Sequence, residues 1–451
     1  MTDLRQWINR TVWMDGCDIE TEERQAREEG RCLEEVQAEF DRLKAVSREE
    51  RDEQWFKEAG RLVDRVQSLP YQEDFPYHEP SDLPGIKASR PTADPLPTWA
   101  GDDREWQDRL HAGLLGRICG CLLGKPIEGW ERGWIRTVAE ETRNWPIKNY
   151  FQRPGPGAAR QFRCPDHWLA GGIDGMVEDD DINYTTIGFA VVKAHGASFT
   201  PLDVALYWCD NVPILHTCTA ERVAYRNFVS NVIPPDSATV RNPYREWIGA
   251  QIRADYFGYA NPGNPERAAE WAWRDASISH IKNGIYGEMW VAAMLAAAYV
   301  ESDWTRIIYA GLAQIPEKCR LREDIEKIFQ AQADGLDFAQ TVQLIHAQWD
   351  ETKAHYWCHT NSNAQIVVAA LLHGEDDYEK TITLAVSPGF DTDCNAATCG
   401  SLWGIVHGLS SLPEKWTAPM NDHVRTGVHG YHDVSISKLA VDMHKTAAAN
   451  K

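Results

Sequence analysis

The sequence predicts an all-α protein, and three observations carry that prediction. Apolar residues recur at spacings of three and four through much of the chain, the period of one helix face. Two segments carry small residues along one side, Gly116, Gly120 and Gly124 in the first and Ala397, Gly400, Ser401, Gly404 and Gly408 in the second. Such stripes let two backbones approach closely. No alternation of strand and helix patterns is present to build a parallel sheet. With 451 residues, 43% of them hydrophobic and 25% charged, the chain has the make-up of a soluble globular protein with a sizeable core.

Charge and composition narrow the partners. A net charge of −21 and a pI near 5.2 argue against a protein that grips a nucleic-acid backbone. No apolar run approaches the ~18 residues of a membrane span, so no membrane partner is expected. The opening residues MTDLRQWINRTVWMD lack the apolar core of a signal peptide. Eleven scattered cysteines with no C-x-x-C pair read as reduced thiols, which together predict a cytoplasmic protein.

In chain order, residues 1–68 read as an N-terminal helical hairpin. Leu33, Val36, Phe40 and Leu43 form one narrow seam, and Ser47 with Glu50 reads as a capping box that opens a second helix striped by Trp55, Ala59, Leu62 and Val66. The hairpin is expected to pack on the main body or on another subunit, as the surface of a homo-oligomer. Residues 69–100 carry seven prolines and read as an extended strap. Residues 101–451 form the helical body. Its first helix ends at Gly124 and Pro126, with Glu128 directly beyond. Residues 130–175 read as irregular, with PGPGAARQFRCPDHW as a candidate lid.

Glu178, Asp179, Asp180 and Asp181 then precede Ile187, Ala190, Val191 and Ala194, which fall on one helix face. Irregular chain follows to about residue 245, then a helix candidate over Tyr244–Asp255. A core helix spans Ala276–Ala298, with His280 and Asn283 near its start. Residues 301–349 read as helix pairs, and His359–Asn363 cap a helix running to Leu372. In Ser387–Asn395 a Pro-Gly turn delivers Asp391 and Asp393 onto a helix start. Beyond residue 410 the chain reads as peripheral, with a last helix near 434–447.

The acidic cluster points to a cation. One carboxylate can cap a helix N-terminus, but four in a row repel each other unless something positive neutralises them, and oxygen ligands suit Mg2+, Ca2+ or Mn2+. Asp391 and Asp393 on a second helix start suggest that the two clusters share a pair of hard cations. For each feature a plainer reading stands beside this one: a solvated acidic loop, an ordinary salt bridge for Arg253 and Asp255, a satisfied structural histidine for His280.

Taken in order, GRICGCLLGKPIEG, EDDDINYT and SPGFDTDCNAATCGSLWG resemble the ADP-ribosylglycohydrolase family over roughly residues 105–410. The resemblance implies a compact multi-helix all-α body with a centre of two Mg2+ ions, or Mn2+ in their place, in a cleft. By motif it implies Glu128, Asp179, Asp180, Asp391 and Asp393 as metal ligands, with Glu178 joining them where the family has a threonine. Glu128 and Asp180 are the implied catalytic acids. Asp255, His280 and Asn283 are weaker candidates for lining a ribose pocket. The chain departs from the family at Glu178, at Cys394 after the Asp-x-Asp pair, and at Cys121. The implied activity is metal-dependent cleavage of an N- or O-ribosidic bond, removing ADP-ribose from a modified protein or small molecule. Hydrolysis of a nucleoside or simple riboside, and binding of ADP-ribose without turnover, are the alternatives.

Overall fold

The computed structural model describes residues 18–47, 50–155, 162 and 164–451. It is all-α, with one two-stranded ribbon. Seven of the fifteen residues of the candidate lid, 156–161 and 163, lie outside the described residues.

Among the described residues, the N-terminal extension holds three helices where the sequence suggested a hairpin: α1 (Ile19–Glu28), α2 (Gln37–Lys44) and α3 (Glu53–Val66). The Ser47 hydroxyl does reach Glu50, at 2.7 Å, but α3 starts only at Glu53, where Asp52 accepts from the Trp55 N–H at 2.8 Å. Phe40, Leu43, Leu62 and Val66 close a small core separate from the main one. Charge fastens the extension to the body. Buried Arg245 lies between Glu22 and Glu29, 2.6 Å from each, and Lys282 is 3.3 Å from Glu29.

The strap holds one short helix, α4 (Leu83–Ala88), and is otherwise extended. It is threaded into the body: Glu79 is buried against Arg320 at 2.7 Å, and the Asn283 amide donates to it at 2.9 Å.

The body follows in order as α5 (Asp103–Gly124), α6 (Arg132–Glu141), α7 (Asp180–His195), α8 (Pro201–Asn211), α9 (Ala220–Val229), α10 (Asp255–Tyr259), α11 (Pro265–Ala276), α12 (Lys282–Ala297), α13 (Trp304–Leu312), α14 (Arg320–Ala333), α15 (Phe338–Gln348), α16 (Ala354–Trp357), α17 (Thr360–His373), α18 (Tyr378–Val386), α19 (Thr392–His407), α20 (Glu414–Thr417) and α21 (Ile436–Ala448). At its centre α5 and α19 touch through their backbones. A Cβ on Gly116 would stand 2.3 Å from the Gly400 carbonyl oxygen, and one on Gly120 would stand 2.1 Å from that of Ala396. Only glycine fits there, which accounts for both small-residue stripes.

Four readings are corrected. Residues 130–175 contain α6, and α8 and α9 interrupt the stretch read as irregular. Tyr244–Asp255 is a run of buried turns, and a helix begins only at Asp255. Its apolar residues are buried on several sides at once, so they mimic the helical period without a helix. The segment after residue 410 is not peripheral: Trp416, Met420 and Val424 are fully buried. The ribbon β1 (His423–Arg425) with β2 (Asp433–Ser435) reaches back to the acidic stretch, where the Met176 N–H donates to the His423 carbonyl at 2.8 Å. Three-residue strands are too short to show alternation. None of the described helices is long and apolar enough to cross a membrane.

Candidate functional site

Three chain segments meet at one end of the α5–α19 pair. The first is the end of α5, where Lys125–Ile127 tightens into a 3-10 turn at Pro126 and releases Glu128 in an extended conformation. The second is the start of α7, with Asp179 as N-cap and Asp180 and Asp181 in the first turn. The third is the start of α19, with Asp391 as N-cap and Asp393 in the first turn. Two helix N-termini therefore present their positive ends to one acidic ring.

The turn before α19 is held from both sides. Gly389 and Phe390 have φ of +83° and +63°. A Cβ on Gly389 would stand 2.8 Å from the Trp130 carbonyl, and the Gly129 N–H donates to the Phe390 carbonyl at 3.3 Å. The Thr392 hydroxyl donates to the Gly124 carbonyl at 2.9 Å. Asn363 on α17 accepts from the Asp391 N–H at 3.0 Å. The ends of α5 and α19, and so Glu128, Asp391 and Asp393, are fixed relative to each other.

These side chains open on a cavity of about 620 Å³, lined also by Glu178, Glu221, Trp168, Trp247, Trp357 and His216. Mutual repulsion and burial dominate the electrostatics. Asp393 above all, then burial and Asp180, push the Glu128 carboxyl well above its usual range. Burial, with Asp179 and Asp393 beside it, raises Asp180 to about 7. Burial and Asp179 raise Asp393 to about 6. Burial, then Asp393 and Glu128, push Asp391 well up. Burial would raise Asp179 as well, but the Lys125 ammonium, 2.7 Å away, outweighs it and holds that carboxyl low. Asp391 is 4% exposed and its Oδ1 has no hydrogen-bond partner. A buried carboxylate oxygen left this way, among like charges, suits a hard cation.

The remaining expected residues divide. Glu178 stands at the cavity rim, bonded to His216 and accepting from the Asn183 amide at 3.3 Å. Asp255, His280 and Asn283 do not line the cavity. Asp255 is buried against Arg117 at 2.8 Å and accepts from the Tyr259 hydroxyl at 3.1 Å. His280 is buried beside the Ser279 hydroxyl at 2.8 Å, and Asn283 is tied to Glu79 and Glu246. Each has a buried partner outside the cavity lining.

Several functional neighbours carry no sequence signature of their own. Lys125 sits in the turn between α5 and Glu128. Asp181 belongs to the acidic run but is turned inward, where Arg117 holds it at 2.9 Å and the Cys394 thiol donates to it at 3.0 Å. Glu221 lines the far wall, raised by burial to about 7 despite Arg253 at 2.9 Å. A Cβ on Gly249 would stand 2.1 Å from Glu221 Oε1, so that carboxylate would have to shift to admit one.

A second cluster, Glu28, His355 and His359, also gathers ligand-type atoms. Hydrogen bonding excludes it as a metal site. The Trp247 N–H donates to His355 Nδ1 at 3.0 Å and the Asn361 N–H to His359 Nδ1 at 3.1 Å. Both rings therefore carry their proton on Nε2, facing Glu28, and have no lone pair there for a cation. The cluster clamps the extension to α16 and α17.

The sequence model of the ADP-ribosylglycohydrolase family matches residues 102–448. Among solved structures, the chain is similar to an "ADP-ribosylglycohydrolase-related protein complex" at 16% identity and a TM-score of 0.47, over 76% of this chain and 99% of that one. No curated protein matches it.

Proposed function

The chain belongs to the ADP-ribosylglycohydrolase family, and from that premise we propose that it is a metal-dependent hydrolase of an N- or O-ribosidic bond, releasing ADP-ribose from a modified protein or small molecule. The observation that carries this reading is the convergence of Glu128, Asp180, Asp391 and Asp393 on one cavity, with the buried Asp391 Oδ1 unpartnered.

Glu128, Asp180, Asp391 and Asp393 would hold the cation, Mg2+ or Mn2+. Bound there, a divalent ion orients a diol and lowers the pKa of a coordinated water. Asp180 opens on the same cavity, where a carboxylate oxygen not engaged by the ion would be placed to take a proton from water and return it. Carboxylates around the cavity favour the positive charge that develops on a ribosyl ring as the bond breaks. Trp168, Trp247 and Trp357 supply flat apolar walls suited to a base or sugar face.

The test is release of ADP-ribose from ADP-ribosyl-arginine with Mg2+ and with excess chelator. We expect chelator-sensitive release that falls about 100-fold or more in the Asp391→Asn, Asp393→Asn double variant, as befits loss of two ligands. Turnover of simple ribosides unaffected by an ADP group would replace this substrate class. Tight binding of ADP-ribose without turnover, metal present, would replace the activity itself.

A further inference from the structure

From the cavity's cation chemistry we infer that the Lys125 ammonium is a built-in cation, occupying one of two cation positions in the acidic ring, so that the centre takes a single divalent ion. This rests on the functional reading above and concerns how many ions that site holds.

The ring's two halves differ in what already neutralises them. In one half, Cys121, Asp179, Asp181 and Asp393 bring ligand-type atoms within 4.8 Å of one another. Two of its three carboxylates already have a cation. Asp179 uses Oδ2 on Lys125 at 2.7 Å and Oδ1 on the Asp181 N–H at 2.9 Å. Asp181 uses Oδ1 on Arg117 at 2.9 Å and Oδ2 on the Cys394 thiol at 3.0 Å. The fourth atom is a buried thiol, a poor ligand for a hard ion. Lys125 is itself enclosed, its side chain 12% exposed, with the Trp168 ring 4.8 Å from Nζ.

In the other half, Asp391 Oδ1 has no hydrogen-bond partner, Oδ2 accepts from the Cys358 thiol at 3.9 Å, and the carboxyl lies against Asp393 and Cys394. Asp391 and Asp393 lie within ligand distance of each other there, and Glu128 and Asp180 open on the same space. Asp179 and Asp181 in one half of the ring thus already face cations of the chain, whereas no ammonium or guanidinium among the described residues pairs with Asp391 in the other. A second divalent ion on Asp179 would have to displace the ammonium.

The experiment counts Mn2+ per full-length chain by equilibrium dialysis, with electron paramagnetic resonance of the loaded protein. Wild type should bind one Mn2+ and give the six-line spectrum of an isolated ion. Lys125→Met, close in length but uncharged, should bind two and give an exchange-coupled spectrum; Lys125→Arg should bind one. Two ions in wild type, or one in a folded Lys125→Met, would overturn the inference while leaving the metal-hydrolase reading intact. If Lys125→Met does not fold, the wild-type count decides alone. No bound Mn2+ in wild type would remove the functional reading and the inference with it.

Discussion

Asp180 and Asp393 hold their protons more tightly in the folded chain than they would unfolded, with values of about 7 and about 6 against an ordinary 3.8. An acid raised in this way stabilises the fold below its unfolded pKa, and that contribution is lost as pH rises through the folded value. The metal-free protein should therefore melt at progressively lower temperature from about pH 4 to about pH 7, and saturating Mg2+ should flatten that slope by replacing the protons. Melting curves with chelator and with Mg2+ across this range check it; parallel slopes would show that the ion does not meet these acids. The carboxylates themselves were legible because they come in runs at helix starts. Lys125 and Glu221 were not, since a single charged residue at a helix boundary looks the same whether it faces solvent or a buried acid.

The α5–α19 contact places the acids, and it depends on the absence of side chains. Gly120→Ala puts a Cβ 2.1 Å from the Ala396 carbonyl oxygen, which only separation of the helices relieves. We expect a loss of about 1–3 kcal/mol, as for other overpacked cores, with turnover falling because Glu128 and Asp393 part. Gly133→Ala in α6 meets nothing within 4 Å and should be neutral or stabilising by up to about 1 kcal/mol. Thermal melts of the two variants side by side make the comparison. This contact was readable in advance from four-residue spacing of small residues, because that spacing has one dominant physical cause. The turns of 244–254 were not readable: Trp247, Ile248 and Ile252 are buried partly by packed neighbours and partly at the cavity wall, and no period records which each one meets.

Across the whole molecule, the extension and the body share one ionic seam. Arg245→Met would leave Glu22 and Glu29 buried with Lys282 and Arg31 near Glu29, at a cost of about 3–5 kcal/mol. Replacing Glu22, Glu29 and Arg245 together with apolar residues should recover most of that loss, since no uncompensated charge then remains. Denaturant titration of the single and triple variants tests the pair. The sequence announced an extension here and left its docking face open between body and partner subunit. Its charged residues outnumber its apolar ones, and nothing in the order of residues tells a solvated glutamate from one that meets an arginine some two hundred positions away.

The pinned ends of α5 and α19 also have a consequence for admission and for change. Residues in backbone contact cannot slide past one another, so the acids act as a fixed anvil. Any movement that lets a ligand in or out falls to the rim, where Leu215 and His216 ride on a short 3-10 turn and Trp168 on another. The same division limits how the protein can diversify. Glycine positions with a carbonyl pressed against them accept no alternative, whereas the rim can exchange residues without disturbing the floor. A new specificity in this chain would be written at the rim, on an unchanged base.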